Sequence, residues 1–495
     1  MRLSLQAISQ SDTFVLILGC LYSGFFLLFP ENFKVMVAAS ILFLGLFFLV
    51  TRSLFTALFT MFLLSSFFYF PVKRYELQLT GPLPFAETKF QGGILAVFGL
   101  AISDIYALWI GFFLLRSRLH KNREKKPVVY LYRKPLVYLS IAAWLTYFTV
   151  SFISSLTRSF FPVFSVIVVL QSMKLLIMVA ALIHLLGGPK KSFKFLVLPL
   201  KSLLLVQGVV SLLNFTNFDY HFLLKPDRPD IESGSLLLPR TMGIIGHGNQ
   251  DALLTAVLLL LTLPFLLKKS SFTSKAILLL SGVTLVLYQS RTVWLGLVLS
   301  FLIYLGTFRK EARILGRLKK LKRRGIYYGL ILILLLGTIV VPRLFLSRFF
   351  FSDEGGGALR IKMFKEGVEL YSQSPWIGHG VQNVVLPLMK EFPEGYTLYF
   401  PVPVHLTPLE LALESGLVGL VTFFVPFYLV LRKILLLAIK HQLSYELLSV
   451  FCSIVVIMIY FAIQPLDNLR RDFTLFGLVF GLSFIFLYRS EASHE

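Results

Sequence analysis

Apolar runs of roughly bilayer-crossing length, cut apart by polar stretches, recur from one end of this chain to the other. A spanning helix needs about 20 predominantly apolar residues. Such runs lie near 13–30, 34–50, 53–71, 92–115, 136–157, 161–187, 195–213, 248–267, 275–290, 292–307, 326–345, 408–431, 444–463 and 473–488. The pattern predicts an all-α, polytopic integral membrane helix bundle of about 12–14 crossing helices. The longest polar interval, 346–407, is expected to carry short helices of its own. Glycines 355–357 offer a hinge, and the stretch 360–372 puts Ile361, Phe364, Val368 and Leu370 near helical spacing. SPWIGHG then closes that helix in a turn. At the start, Arg2 and a run from Thr13 to Phe29 precede Pro30 without a small-x-small cleavage site, which reads as a retained first helix.

Composition agrees with a membrane chain. Apolar residues make up 56% of 495 positions and mean hydropathy is +0.79, values that exclude a soluble globular protein. The 50 phenylalanines read as lipid-facing and core-filling mass rather than as an aromatic binding site. A formal charge of +23 raises the question of nucleic acid, but the location of the charges answers it in favour of no nucleic acid. With the N-terminus in the cytoplasm, the basic segments 116–134, 190–194, 268–275, 309–324 and 432–440 all fall inside, as the positive-inside rule requires. The opposite, periplasmic side receives the longer mixed-charge loops 72–91, 214–246 and 346–407. Cys20 and Cys452 sit in apolar runs at opposite ends of the chain, with neither metal-ligand nor disulfide-framework spacing.

Four stretches on that outer side carry candidate chemistry. RTMGIIGHGNQDALL holds Arg240, His247 and Asn249 just before a helix, and YQSRTVWLGL holds Arg291 between two apolar runs. RIKMFKEGVELYSQSPWIGHGVQN is led by Arg360, and PVPVHLTPLELALESGLVGL holds His405, Glu410 and Glu414. Guanidinium groups match phosphate oxygens bidentately and keep their charge at any working pH. An imidazole titrates near neutrality and can take a proton from a hydroxyl. The combination suits transfer from a phosphate-bearing lipid, with arginines stabilising the charge that grows on the leaving group. No metal is needed in that scheme, and no cofactor is expected. Each residue also has a plainer reading. Arg291 can anchor a helix in the headgroup region, Arg360 can be a solvated charge on an amphipathic loop helix, and His405 can be an ordinary interface residue. His247 and His379, each before a glycine, can simply occupy turns. Glu410 and Glu414 can pair with cations or favour a helix N-terminus. Asp104, Lys174, His184 and Lys201 lie within apolar runs, where ionisable groups are costly. Lys201 is read as snorkelling, and the other three receive no role.

In order and spacing, the four stretches resemble the O-antigen ligase and polymerase family of bacterial envelope proteins, which move glycans from undecaprenyl diphosphate. Residues 240–250 look like that family's R-x-x-G…G-N-x-N stretch, and SRTVWLGL looks like its S-R-x-x-W/L-x-G helix start. Arg360 with PWIGHG is similar to its arginine and P-x-x-G-x-G turn. HLTPLELALESGLVGL resembles H-N-x-x-L-x-x-x-x-E-x-G-x-x-G. The resemblance covers residues 240–430 and divides the chain into N-terminal helices 1–213, a ligase-like core 214–431 with loop 346–407, and C-terminal helices 432–495. It implies that His405 is the base that activates the acceptor hydroxyl and that Arg291 and Arg360 bind the donor diphosphate. Arg240, Asn249 and Glu414 take supporting roles. Two positions depart from the family pattern: Leu406 stands where a polar residue is preferred, and GHGNQ replaces G-N-P-N.

The expectation is a multi-pass protein of the bacterial inner membrane, surrounded by membrane lipids, with its active site facing the periplasm. It would move a glycan from undecaprenyl diphosphate to lipid A-core or another glycan acceptor. Polymerisation of repeat units and protein O-glycosylation use the same donor and stay open. A polysaccharide flippase is the rival from another class. A transporter would be expected to line mid-membrane helices with charge, whereas this chain gathers its arginines and histidine at one surface.

Overall fold

The computed structural model describes residues 12–28, 33–68, 73–78, 81–82, 89–90, 94–119, 131–187, 193–216, 241–245, 247–268, 271–308, 357–399, 404–440, 442–465 and 469–492. The run at 326–345, the loop 217–240 with Arg240, and the basic segments 120–130 and 309–324 lie outside them. In chain order the described helices are α1 (Asp12–Leu28), α2 (Phe33–Thr51), α3 (Leu54–Ser65), α4 (Ile102–Leu119), α5 (Pro135–Arg158), α6 (Pro162–Ser172), α7 (Lys174–Leu186) and α8 (Lys194–Phe215). Then come α9 (Gly248–Lys268), α10 (Phe272–Leu287), α11 (Arg291–Phe308), α12 (Gly357–Gln373), α13 (Val385–Glu391), α14 (Tyr396–Tyr399), α15 (Thr407–Ile439), α16 (Tyr445–Phe461) and α17 (Leu469–Ala492). This is the expected helical membrane bundle, with two short strand pairs beside it. Seven of the helical stretches are long and apolar enough to cross a bilayer by themselves, among the described residues.

Apolar surface explains the arrangement. Helix α3 is apolar on every side and buried from Thr56 to Ser65, as a helix enclosed by others must be. On α17, Gly477 and Gly481, four residues apart, let the helix close on Leu175, Met178 and Leu182 of α7. Where α5, α15, α16 and α17 meet, phenylalanines fill the core. Phe427 lies 4.7 Å from Phe480 and Trp144 lies 4.8 Å from Phe480, both edge to face. One continuous cluster of buried side chains runs from Leu18 to Leu487, so N- and C-terminal helices share a core.

Three details depart from the hydropathy reading. The run expected to span from 92 begins as a strand, with β4 (Ile94–Leu100) antiparallel to β1 (Lys73–Gln78); a second short pair joins β2 (Gly81–Pro82) and β3 (Lys89–Phe90). Ile94, Val97 and Phe98 favour extended backbone, and helix starts only at Ile102. The run at 161–187 is divided at Met173, where Lys174 pairs with Asp104 and donates to Ser103 Oγ at 2.9 Å. The two charges stranded in apolar sequence are therefore partners. Finally, α15 continues to Ile439 through what reads as a basic loop, since Arg, Lys, Leu and Ala are all good helix formers.

Candidate functional site

His405 occupies a bend immediately before α15 and is half-buried. Its neighbours hold it. Val404 belongs to a small apolar core with Met363, Leu370, Val384, Leu388, Tyr396, Leu409 and Leu413, and Leu406 packs against the same group. Leu406 is the N-cap of α15 and offers no side-chain cap. Thr407 instead sends both its N–H (3.2 Å) and its hydroxyl (2.6 Å) to the Gln464 carbonyl just beyond α16.

That anchor links the histidine to Arg291. Helices α11 and α16 run antiparallel: Ser300 Oγ donates to the Cys452 carbonyl at 3.1 Å, and Gly296 lets α11 close on Val456. Arg291, the first residue of α11, is half-buried. The preceding turn needs a left-handed residue, Gln289 (φ 50°), and is braced by Trp294 Nε1 donating to the Leu285 carbonyl at 2.8 Å. At ~1.5 Å per residue, Arg291 lies about 7.5 Å above the Gly296–Val456 contact and Gln464 roughly 12 Å above it. Both stand at the same end of the bundle, within about one helical turn in height.

Arg360 arrives on α12, where it is exposed. This helix lies along the start of α15 because Gly367 leaves room for Val404 and Leu409, whose nearest atoms would stand 3.2 Å and 3.0 Å from a β-carbon there. The buried face of α12 is Met363, Glu366, Gly367 and Leu370. The helix expected from the spacing of Ile361, Phe364, Val368 and Leu370 is present; of the four only Leu370 faces the core, and Ile361, Phe364 and Val368 are exposed. Periodicity reveals an apolar stripe but not which of two stripes is packed. Buried Glu366 also accepts the Tyr396 N–H at 3.1 Å, at the start of α14. Burial and the neighbouring Glu366 raise the Tyr396 phenol above its ordinary value.

The loop before α9 is organised by a residue the sequence reading passed over. Buried Asp251 accepts the main-chain N–H groups of Gly243 (2.8 Å), Ile245 (2.9 Å) and His247 (3.0 Å), and the Gln207 side-chain amide (2.8 Å). Gln207 returns its oxygen to the Ile244 N–H at 3.0 Å. Asn249 is half-buried in the first turn of α9. Thr241 N donates to the Leu287 carbonyl at 3.1 Å, tying this loop to the end of α10, two residues before the Gln289 turn. A carboxylate in a first helical turn after a glycine-rich loop was the available signal.

Glu414 and Gly416 lie where α15 breaks. Gly416 has φ 67° and ψ −172°, a conformation nearly confined to glycine, and a side chain there would overlap the main chain of Trp376 and Ile377. Gly378 (φ 74°) is pressed in turn against the main chain of Glu414 and Ser415. The SPWIGHG turn thus enters the break, and hydrogen bonds close it. His379 N donates to the Leu413 carbonyl (2.7 Å), Gly380 N to the Glu414 carbonyl (3.0 Å) and Leu417 N to the Pro375 carbonyl (2.7 Å). Gln382 N donates to Glu414 Oε1 at 2.6 Å. Serines of α5 complete the junction: Ser154 Oγ reaches the Glu414 carbonyl (3.0 Å), Ser155 Oγ accepts from Val381 N (3.1 Å), and Ser151 and Ser415 share a 2.8 Å hydrogen bond.

Residues 276–424 match the family model described as O-antigen ligase. No curated protein matches the chain. That segment is similar to the O-antigen ligase family. The match supports an activity of ligase or polymerase type, glycosyltransferase-like, on glycan and lipid-linked substrates, in a multi-pass membrane protein.

Arg291, Arg360, His405 and Glu414 all fall inside the matched segment; Arg240 and Asn249 precede it. The matched segment does not stand alone, because α5 supplies the serines that seat its turn. His379 is another histidine at this end. Burial holds its imidazole below the ordinary value, Leu370's carbonyl lies 3.2 Å from Nε2, and nearby Arg158 lowers it further while Glu391 opposes. Among the described residues no three of His, Cys, Asp and Glu converge as a metal site.

Proposed function

We propose that this ligase domain transfers a glycan from undecaprenyl diphosphate to an acceptor hydroxyl at the periplasmic face of the inner membrane, with lipid A-core as the acceptor. His405 removes the hydroxyl proton, the freed oxygen attacks the anomeric carbon, and undecaprenyl diphosphate leaves with inversion. The proton ends on the imidazole. Arg291 and Arg360 bind the diphosphate and stabilise the charge it gains, so the step needs no metal. Asn249 and Glu414 support the site, and Arg240 is assigned the same part.

The observation that carries this reading is convergence. The start of α11, helix α12 and the bend before α15 come from separated parts of the sequence and are held at one end of the bundle by Thr407–Gln464 and Gly367–Val404. The basic end of α15 lies opposite, which agrees with the periplasmic assignment.

The test is transfer by the purified full chain in nanodiscs, given lipid-linked glycan and lipid A-core. His405→Ala is expected to lower the rate by about 10²–10⁴-fold while expression, insertion and thermal stability stay near wild type. Wild-type-like attachment in that variant would remove the mechanism. Growth of glycan on the lipid carrier, with none on lipid A-core, would mean polymerisation. Absence of any covalent product would return the protein to the transporter class.

A further inference from the structure

The loop before α9 is pinned from two helices. On α8, Gln207, Ser211 and Asn214 stand four and three residues apart, the spacing of one helix face. Gln207 binds the Ile244 N–H as above, Ser211 shares a 2.9 Å hydrogen bond with Thr241, and the Asn214 amide donates to the Met242 carbonyl at 2.6 Å. On α9, Asp251 takes the N–H groups of Gly243, Ile245 and His247. Tyr288, at the end of α10, reaches into the same cluster and is fully buried. Its hydroxyl stands where a β-carbon on Gly243 would overlap it, and faces Ser211, Thr255 and Gln207 beside the Asp251 carboxylate.

Arg291 stands three residues beyond Tyr288. Between them Gln289 holds φ 50°, a left-handed conformation that a residue with a β-carbon keeps only where its surroundings over-determine it. They do so from both sides. Before the turn, Tyr288 is seated among the groups around Asp251, and Thr241 N holds the Leu287 carbonyl. After it, Trp294 donates its main-chain N–H to the Ser290 carbonyl at 3.0 Å and its indole N–H to the Leu285 carbonyl. An ionisable side chain buried in an apolar bundle is costly. Here the chain of contacts that Asp251 anchors ends at the turn before Arg291.

We infer that Asp251 is a positioning residue for Arg291: by way of Gly243 and the Tyr288 hydroxyl it fixes the turn at Gln289, and with it the place at which α11 presents a guanidinium to a diphosphate. The use of Arg291 on a diphosphate rests on the transfer reading. The link from Asp251 to the turn does not. Gly243 is the sensitive joint, because the nearest atoms to a side chain there would be the ends of the Tyr288 and Gln207 side chains, and it would lever both away.

The full chain in nanodiscs tests both parts, with Gly243→Ala, Tyr288→Phe and Asp251→Asn as separate variants. The first two leave the carboxylate in place, so they carry the test should Asp251→Asn fail to fold. Hydrogen–deuterium exchange reads the link without any turnover. The N–H groups of Gln289 and Trp294, bonded to the Val286 and Ser290 carbonyls, are expected to exchange faster in every variant, while the second half of α11 keeps its rate. Wild-type exchange at 289–294 overturns the link. An equal increase along the whole of α11 also overturns it, because that is general loosening. Transfer kinetics read the consequence. Each variant is expected to raise KM for undecaprenyl-diphosphate-linked glycan about tenfold with kcat within about twofold of wild type, short of the ~10²-fold that a 1 Å misplacement can cost. A fall in kcat alone, with donor KM unchanged, overturns the positioning role, since loss of folded enzyme produces the same. In an Arg291→Ala background, Asp251→Asn is expected to add nothing to donor KM; a further rise of about tenfold there overturns action through Arg291. If Arg291→Ala itself left donor KM at the wild-type value, the transfer reading would fail, and the exchange result would still decide whether Asp251 sets the turn.

Discussion

Two stretches of irregular backbone at the His405 end of the bundle face the same physical problem and solve it differently. The loop before α9 gathers its N–H groups on one carboxylate, that of Asp251. The SPWIGHG turn has no such hub. Its N–H groups, with those of Val381 and Gln382 just beyond it, are shared among carbonyls freed by the break in α15, a serine of α5 and Glu414 Oε1, and the fit depends on two glycines. Non-helical backbone at membrane depth is tolerated only where protein satisfies it. A carboxylate concentrates that duty in one side chain that substitution can remove. Main-chain contact spreads it over several bonds, but makes the absence of a β-carbon the critical feature.

The contrast can be broken most severely at the turn. Gly416→Ala is expected to cost about 3 kcal/mol or more, combining a glycine-only conformation with overlap on the Trp376 main chain. Thermal unfolding of the purified protein measures this. Stability within error of wild type would mean that the break in α15 is not held as described. Asp251→Ala comes next, on the order of 3 kcal/mol, because three main-chain N–H groups and one amide lose a charged acceptor together. Here Asp251→Asn should recover part of the loss by keeping one acceptor oxygen, whereas no side chain at 416 should rescue the glycine variant. Ser155→Ala is the mildest, about 1 kcal/mol, since a single N–H, that of Val381, loses its partner. If Ser155→Ala matched Asp251→Ala in a side-by-side melt, the idea of distributed against concentrated satisfaction would fail.

Much of this site was legible as a string of residues. The order Arg291, Arg360, His405, Glu414 stands inside the stretch that matches the ligase family, and the turn chemistry of SPWIGHG is readable from its proline and glycines. Other parts were not. Asp251 looks like one acid at the edge of an apolar run, and only the fold reveals the loop amides that surround it. The serines of α5 are unremarkable in a transmembrane helix until the turn arrives beside them. The spacing of Ile361, Phe364, Val368 and Leu370 announced the helix α12 but not that Met363, Glu366, Gly367 and Leu370 would be its packed face. For β4, hydropathy alone ranked Ile94–Leu100 with the helix that follows.

The residue order by itself determined a helical membrane protein and the motifs from Arg291 to Glu414. Both follow from local quantities: the length of an apolar run against the bilayer, and the spacing of a few polar residues within it. Only the tertiary structure decided which polar groups meet. Ser155 and Val381 lie 226 positions apart, and Thr407 and Gln464 57 apart. An orphaned N–H must be satisfied, but its partner is chosen by how distant helices pack, and no periodicity along the chain carries that information.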